Sequence, residues 1–236
     1  MKILALESSA TACSVALCED ERLIAQTFQN SGLTHSRTLM PMAEDLLAAC
    51  GQKPEDVDVV AVAAGPGSFT GLRIGVSTAK GLAWAWEKPC APCSTLESMA
   101  WQLAHTDATI VAVMDARRSQ VYNALFRAGD ARLERLCPDR AVALAEVETE
   151  LKNLPGKKIL VGDGAQLCYN EWQERVSDLC IAPEHLRWQS AWGVARAALD
   201  LARTDGLVSA EQLAPVYHRL SQAERERLAK QADTKE

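Results

Sequence analysis

The glycine-rich segment AGPGSFTGLRIGVSTAKG, residues 64–81, has the residue types and spacing best suited to holding a phosphate. A phosphate loop directs backbone N–H groups at the anion from the start of a helix, and glycine lets the backbone come close. Gly65, Gly67 and Gly71 would permit this. However, no Gly-Lys-Ser/Thr completes a Walker loop, and the spacing G-x-G-x-x-x-G is one residue longer than the dinucleotide pattern. The segment predicts either a phosphate site or a tight turn between a strand and a helix.

Two acidic residues end apolar stretches with the pattern of strands, Glu7 after KILAL and Asp115 after TIVAVM. Carboxylates in such places often bind hydrated cations beside nucleotides. Asp115 is followed by Ala-Arg-Arg, which departs from the glycine-rich turn that would admit a phosphate. The candidate residues of a nucleotide-binding site are therefore Glu7, Gly65, Gly67, Ser68 and Asp115.

The histidines and cysteines form no recognisable catalytic or metal-binding pattern. The four histidines are widely separated, and none pair at the i, i+4 spacing of H-E-x-x-H. Cys90 and Cys93 form a C-A-P-C pair without a second pair or nearby histidines, so we interpret them as incidental thiols. The G-x-S-x-G elbow of many hydrolases is absent as well. The sequence therefore predicts no catalytic residue and no metal site.

Small residues recur every four positions along the helix that follows the glycine loop, at Gly71, Gly75, Ala79 and Ala83. They form one continuous ridge. A glycine inside a helix costs about 0.8–1 kcal/mol relative to alanine, so we expect another helix to approach closely there. That helix is either the one predicted for residues 36–50 of the same chain or one from a second subunit.

The pattern of the first half of the chain restarts in the second half. TIVAVMDARRSQVYNALFR (109–127) has the outline of KILALESSATACSVALCE (2–19), and KKILVGDGA (157–165) resembles VDVVAVAAGPG (57–67). This repetition predicts an internally duplicated α/β fold. The predicted elements of the first half are strands at 2–7, 12–17 and 21–28, a buried strand within 57–67 that leads into the glycine loop, and helices at 36–50, 70–86 and 96–104. The predicted divisions are an N-terminal subdomain (1–107), a C-terminal subdomain (108–219) and a charged, flexible tail (220–236).

Composition and charge limit the classes of function. With 48% hydrophobic and 24% charged residues, the 236-residue chain has the composition of a soluble globular protein. Its net charge of −6 disfavours broad nucleic-acid binding by this chain alone. It has no apolar run of the ~18–20 residues that a membrane span needs. Glu7 interrupts the first apolar stretch, where a signal peptide would have an unbroken hydrophobic core, so we expect a cytoplasmic protein. In that compartment the eight cysteines are expected to be reduced thiols.

Three segments carry a resemblance to a known family: ILALESSATACSVAL (3–17), AVAAGPGSFTGLRIGVSTAKGLA (61–83) and APVYHR (214–219). With the duplicated halves, they resemble the superfamily of actin-like proteins, hexokinases and sugar kinases, and within it the TsaB (YeaZ) family. The resemblance implies a duplicated actin-like fold of two similar subdomains. It also implies a role in making N6-threonylcarbamoyladenosine in tRNA. In that role TsaB is a non-catalytic scaffold for the transferase TsaD, and the ATPase TsaE joins them.

The resemblance also implies site residues. TsaD relatives carry V-N-H-x-E-x-H, whose two histidines hold a metal, and alignment with residues 93–99 places Thr95 and Met99 at the histidine positions. No cofactor is implied beyond a nucleotide at a subunit junction. TsaB packs two helices on TsaD and can form a homodimer when TsaD is absent. It contacts tRNA only within the complex. The implied interface residues here are Leu39, Met42, Ala43, Leu46, Gly71, Leu72, Gly75, Val76, Ala79, Leu82 and Ala83.

Two other classes of function stay open at this point. A small-molecule kinase or a peptidase of the same superfamily would show ATP turnover or proteolysis that is lost when Glu7 or Asp115 is replaced. A tRNA-binding module would need a basic surface, for which Arg117, Arg118 and Arg127 are the local candidates.

Overall fold

Two mixed β-sheets with the same strand order make up the framework of the protein, in a computed structural model that describes residues 1–219. The predicted tail, 220–236, lies outside the described residues. The strands are β1 (Lys2–Glu7), β2 (Cys13–Glu19), β3 (Arg22–Gln29), β4 (Val59–Gly65), β5 (Cys90–Ser94), β6 (Ala108–Asp115), β7 (Gln120–Gly129), β8 (Arg132–Arg135), β9 (Arg140–Ala143), β10 (Lys158–Val161) and β11 (Leu179–Ile181). The helices are α1 (His35–Ala49), α2 (Phe69–Trp86), α3 (Thr95–Trp101), α4 (Leu144–Lys152), α5 (Ala165–Trp172), α6 (Glu184–Arg187) and α7 (Ala191–Arg203).

The topology of the two sheets confirms the duplicated fold. The first sheet has the order β3-β2-β1-β4-β5, and the second has the order β8-β7-β6-β10-β11, with β9 also paired to β7. In each, an antiparallel three-stranded meander is followed by two strands parallel to the central one. Glu7 and Asp115 are the last residues of the equivalent central strands β1 and β6. The acids therefore occupy the equivalent places that the sequence repeat predicts.

All three predicted helices differ slightly from the observed ones, α2 only in that it begins at Phe69 rather than at residue 70. Helix α1 begins at His35 and continues through Pro41, which lies on its exposed side. Helix α3 begins at Thr95 because the Ser94 side chain accepts the N–H of Glu97, and it ends at Trp101 rather than at Ala104. Turns follow Trp101 as far as the start of the second sheet.

Helix α7 packs on the first sheet, although the sequence division places it with the second subdomain. Its buried alanines and Val194 lie against β1, β2 and β5 in one apolar cluster. The segment after α7 stays on the same half, where the Val208 and Cys90 backbones pair and Val216 N–H bonds to Ala64 O at 2.7 Å. The first sheet is therefore covered by α1 and α2 on one face and by α7 on the other. The predicted range 108–219 does not describe one compact half.

Among residues 1–219 there is no helix with the length and apolar character needed to cross a membrane.

Candidate functional site

A cleft of about 400 Å³ lies where the ends of β1, β6 and β10 meet the start of α2. Ligands of α/β proteins commonly bind outside the carboxyl ends of parallel strands, because the loops that follow them meet there. The predicted residues Gly67, Ser68 and Asp115 line this cleft, together with Ser9 and Asp163. Gly65 and Glu7 lie behind it in the interior and are not part of its lining.

The glycines of the loop are in close contact with the chain itself. A Cβ atom at Gly67 would lie 2.5 Å from the carbonyl oxygen of Ser9, and one at Gly71 would lie 2.1 Å from that of Ser8. The backbone N–H of Ser68 bonds to Ser9 O at 2.7 Å. The turn between β1 and β2 thus occupies the space that a phosphate would need beside these glycines. Of the two predictions for this segment, the contacts favour the tight turn.

The small-residue ridge of α2 packs inside the chain as well. A Cβ atom at Gly75 would lie 2.5 Å from Ser8 Oγ and 3.3 Å from Val62 Cγ2, so the ridge rests on the end of β1 and on β4. Ten of the eleven predicted interface residues are buried in the chain, and Met42 is partly buried. These residues join the helices to their own sheet and are not exposed to a partner.

The opposite side of α2 has a second row of small residues that sequence reasoning missed. Ser77, Gly81 and Ala85 are exposed at four-residue spacing, and a Cβ at Gly81 would meet no atom within 4 Å. Trp84 beside them is 70% exposed. On α1, which packs against α2, Met40 is also exposed. The same four-residue spacing thus occurs on both sides of α2, and only the contacts distinguish them.

Glu7 is the fully buried carboxyl group behind the cleft. Its Oε1 accepts the backbone N–H of Ser9 at 2.6 Å, while Oε2 has no partner among the described residues. Burial raises the pKa of Glu7 to about 7, partly offset by the bonds from Ser9, and the charge of Asp163 raises it further. At neutral pH this group is therefore divided between its protonated and ionised forms.

Asp163, at the end of β10, is the acidic cleft residue that sequence reasoning missed. Its Oδ1 accepts Gln189 Nε2 at 2.8 Å, and burial raises its pKa. The signal was present, because Asp163 follows an apolar strand as Glu7 and Asp115 do, within KKILVGDGA. Asp115 lines the same cleft, with its Oδ1 accepting the backbone N–H of Arg117 at 2.6 Å.

The turn between β6 and β7 has a left-handed backbone without glycine. Arg117, Arg118 and Ser119 have φ angles of 62°, 55° and 56°. Side chains in this region cost of order 1 kcal/mol each, and glycine would avoid that cost. The backbone therefore has the handedness that glycines usually supply, but it carries two exposed arginines.

Thr95 and Met99, which align with the two metal-binding histidines of TsaD relatives, are fully buried. Met99 belongs to an apolar cluster between α3 and the second sheet, and its Sδ lies 3.0 Å from where a Cβ at Gly162 would be. Thr95 Oγ1 has no hydrogen-bond partner in the described part of the chain. Among residues 1–219, no three His, Cys, Asp or Glu side chains are grouped so that they could hold a metal ion.

Cys90 and Cys93 lie on β5 and face the interior. Burial raises the pKa of Cys90 to about 11 and that of Cys93 well above its ordinary value. Because the thiolate is the reactive form, neither cysteine is poised for redox chemistry.

An aromatic pair stands at the mouth of the cleft, formed by Phe69 at the start of α2 and Tyr217 near the end of the described chain. Their ring centroids are 5.1 Å apart, and the Arg73 guanidinium lies 3.8 Å from the centroid of Phe69. Arg73 Nε also donates to the Tyr217 hydroxyl at 3.1 Å. Across the mouth, Arg219 donates to the carbonyl oxygen of Ala116.

Comparisons with known proteins decide the family. The family model described as TsaD, tRNA N6-adenosine threonylcarbamoyltransferase, matches residues 29–224. The tRNA threonylcarbamoyladenosine biosynthesis protein TsaB of Escherichia coli is 32% identical over 223 residues, which cover 93% of this chain and 95% of that protein. The chain belongs to the TsaB family. TsaB of Bacillus subtilis is 37% identical over 167 residues, covering 71% of this chain and 73% of that protein.

Structural comparison agrees with the TsaB family. The structure of YeaZ from Pseudomonas aeruginosa superposes with a TM-score of 0.76 at 25% identity, covering 92% of this chain and 99% of that one. Similarity to the transferases themselves is shorter. The tRNA N6-adenosine threonylcarbamoyltransferase of Anaeromyxobacter is 33% identical over 113 residues, which cover 41% of this chain and 34% of that enzyme. The TsaB relatives thus match over far more of their length than the transferase does.

Proposed function

We propose that this chain is a non-catalytic subunit of a complex that transfers threonylcarbamoyl to the adenosine beside the anticodon of tRNA. A TsaD-like protein is the catalytic subunit and a TsaE-like ATPase is the third member. The observation that carries the proposal is that buried Thr95 and Met99 stand at the positions that align with the metal-binding histidines of TsaD relatives. A hydroxyl and a thioether do not replace two imidazoles on a hard or borderline cation.

The exposed sides of α1 and α2 support the choice of partner surface. Ser77 and Gly81 leave room for another helix to approach, and Trp84 and Met40 offer apolar area beside them. Close-packed helix pairs need small residues at the contact and larger apolar residues around it. The TsaD-like subunit binds here, and in its absence a second copy of this chain uses the same surface.

The contacts of the glycine loop support a chain without a cofactor of its own. Ser8 and Ser9 occupy the space beside Gly67 and Gly71, so these two glycines cannot cradle the phosphates of a cofactor, and only the start of α2 faces the cleft. Any nucleotide that the complex holds near this chain lies at its junction with the catalytic subunit.

Reconstituted transfer of threonylcarbamoyl to tRNA tests the proposal. The reaction contains the cognate TsaD-like and TsaE-like proteins, the TsaC enzyme that makes threonylcarbamoyl-adenylate, ATP, threonine and bicarbonate, with or without this chain. We expect modified tRNA only when both this chain and the catalytic subunit are present. Equal modification without this chain would contradict the scaffold role. ATP turnover or proteolysis by the purified chain alone, lost on replacing Glu7 or Asp115, would favour an enzyme instead.

A further inference from the structure

The mouth of the cleft presents a planar aromatic surface that the core of this chain does not require. Tyr217 is 41% exposed and Phe69 is 37% exposed, although the two rings stack on each other. Arg73 contacts both rings: its guanidinium lies over the Phe69 ring, and its Nε donates a hydrogen bond to the Tyr217 hydroxyl. Rigid exposed aromatic rings of this kind are what unpaired bases stack on in RNA-binding proteins.

The charge at this mouth differs in sign from that of the whole chain. The chain has a net charge of −6, but three arginines, Arg73, Arg117 and Arg219, stand at the cleft entrance beside two carboxylates that line it. Arg117 and Arg219 line the cleft, Arg118 is exposed beside Arg117, and Arg73 braces the aromatic pair. Arginine is the side chain best suited to phosphate oxygens, because its planar donors match their geometry. A local concentration of arginine in an acidic chain favours one anionic contact rather than binding along a long stretch of nucleic acid.

The start of α2 adds donors for a phosphate. The N–H groups of Phe69 and Thr70 have no acceptor within the helix, because they are its first residues, and the positive end of the helix dipole faces the cleft. Beside them, Ser9 also lines the cleft, but its side chain is fully buried next to the Glu7 carboxyl, so the helix N–H groups are the donors that a ligand reaches here.

The carboxylates deeper in the cleft suit the edge of a base. Asp115 and Asp163 both line the cleft, and carboxylate oxygens accept hydrogen bonds from the amino groups of bases. The volume of about 400 Å³ falls within the range of roughly 300–1,000 Å³ usual for small-ligand sites. The cleft is therefore large enough for one nucleotide and too small for a double helix.

We infer that the cleft binds one unpaired ribonucleotide of the tRNA, with its base against Tyr217 and its phosphate between Arg117, Arg219 and the start of α2. This inference rests on the proposed function, which supplies the tRNA. A protein segment fits these features less well. Behind the exposed aromatic rings and arginines of the entrance lie hydrogen-bond acceptors, whereas a docked protein segment would need an apolar groove there.

Binding of a tRNA transcript to the assembled complex tests the inference. Tyr217→Ala should weaken binding between roughly fivefold and a hundredfold, the loss expected for one base–aromatic stack. Arg117→Ala should weaken it too and lower the slope of log affinity against log salt by about 0.7–0.9. Phe28→Ala and Arg132→Ala remove an exposed aromatic side chain and an exposed arginine elsewhere and should change neither quantity. Size-exclusion chromatography first establishes that each variant still assembles.

Photocrosslinking provides a measurement that does not depend on a destabilising variant. A tRNA transcript carrying 4-thiouridine should crosslink to the peptide containing Tyr217 in the wild-type complex, and the link should map to an unpaired nucleotide. Equal affinity of Tyr217→Ala and the control variants, without this crosslink, would overturn the inference. Displacement of the crosslink by free AMP or ADP would overturn it in favour of a mononucleotide site. A crosslink from benzoylphenylalanine at position 217 to the catalytic subunit rather than to tRNA would overturn it in favour of a protein contact.

The transfer reaction separates this inference from the proposed function. If modification requires the chain but Tyr217→Ala binds tRNA like the wild type, only the inference fails. If modification does not require the chain, the proposed function fails, whatever the binding data show.

Discussion

A Cβ atom at Gly75 would lie 2.5 Å from the Oγ atom of Ser8, so helix α2 lies directly on the end of strand β1. Ser8 Oγ is itself fixed by a bond to Gly71 O at 2.9 Å, one turn earlier on the same helix. The glycines of α2 thus serve the packing of one chain, and their replacement should affect its stability before it affects its assembly.

Gly75→Ala should lower the free energy of unfolding by about 1–3 kcal/mol, because the added methyl overpacks the contact with Ser8. Gly81→Ala is the matched control on the same helix, where the added Cβ meets no atom within 4 Å, and it should stabilise by up to about 1 kcal/mol. Urea unfolding measures both. Adding Ser8→Ala to the Gly75→Ala variant should recover part of the loss, and a loss that stays unchanged would point to another cause.

Gly81→Arg and Ser77→Arg should abolish association with the catalytic subunit while leaving the chain folded, because both positions are exposed. Leu167→Arg, an exposed position on α5, should bind normally. Isothermal titration of each variant against the TsaD-like protein measures the effect. Normal binding by both α2 variants would remove that helix from the interface.

Glu7→Gln should make the stability of the protein less dependent on pH. The folded pKa of Glu7, about 7, lies above its ordinary value of 4.5, so the folded state binds the proton more tightly than the unfolded state does. The wild type should therefore lose up to about 3 kcal/mol as pH rises from about 4.5 through about 7. The variant should lack this loss. Its free energy of unfolding in urea, compared with that of the wild type, should therefore increase between pH 5 and pH 8. If the two free energies of unfolding differ by the same amount across that range, Glu7 does not bind its proton more tightly in the folded state.

Thr95→Val should raise the free energy of unfolding by about 1 kcal/mol. The Thr95 hydroxyl is buried without a partner among residues 1–219, and a methyl group of similar size removes that cost. Urea unfolding checks the gain, and the reconstituted transfer reaction should proceed at the wild-type rate. A loss of stability would indicate that the hydroxyl has a partner, such as a buried water molecule.

Much of the fold could be predicted because its signals are local. Apolar runs ending in Glu7 and Asp115 identify the two central strands, and their repetition gives the duplication. The orientation of α2 could not be predicted, because small residues recur every four positions on both of its sides. Only the contact between Gly75 and Ser8 shows which side faces inward.

Contacts between distant parts of the chain account for what the sequence did not reveal about the cleft. Phe69 and Tyr217 stack although they lie far apart in the sequence, and no periodicity relates them. Asp163 has the same local signal as the other two acids, but its place in the cleft depends on how the second sheet meets the first. Helix α7 has the pattern of an ordinary amphipathic helix, and nothing in that pattern says which sheet it covers.

The return of α7 and the segment after it to the first sheet has a consequence for synthesis on the ribosome. The strands of the first sheet emerge early, but one face stays uncovered until residues 191–217 leave the exit tunnel. The second sheet, complete by residue 181, has all of its strands before that. The half that is translated first is therefore the half that finishes folding last, and its uncovered alanine-rich face needs protection from aggregation in the interval.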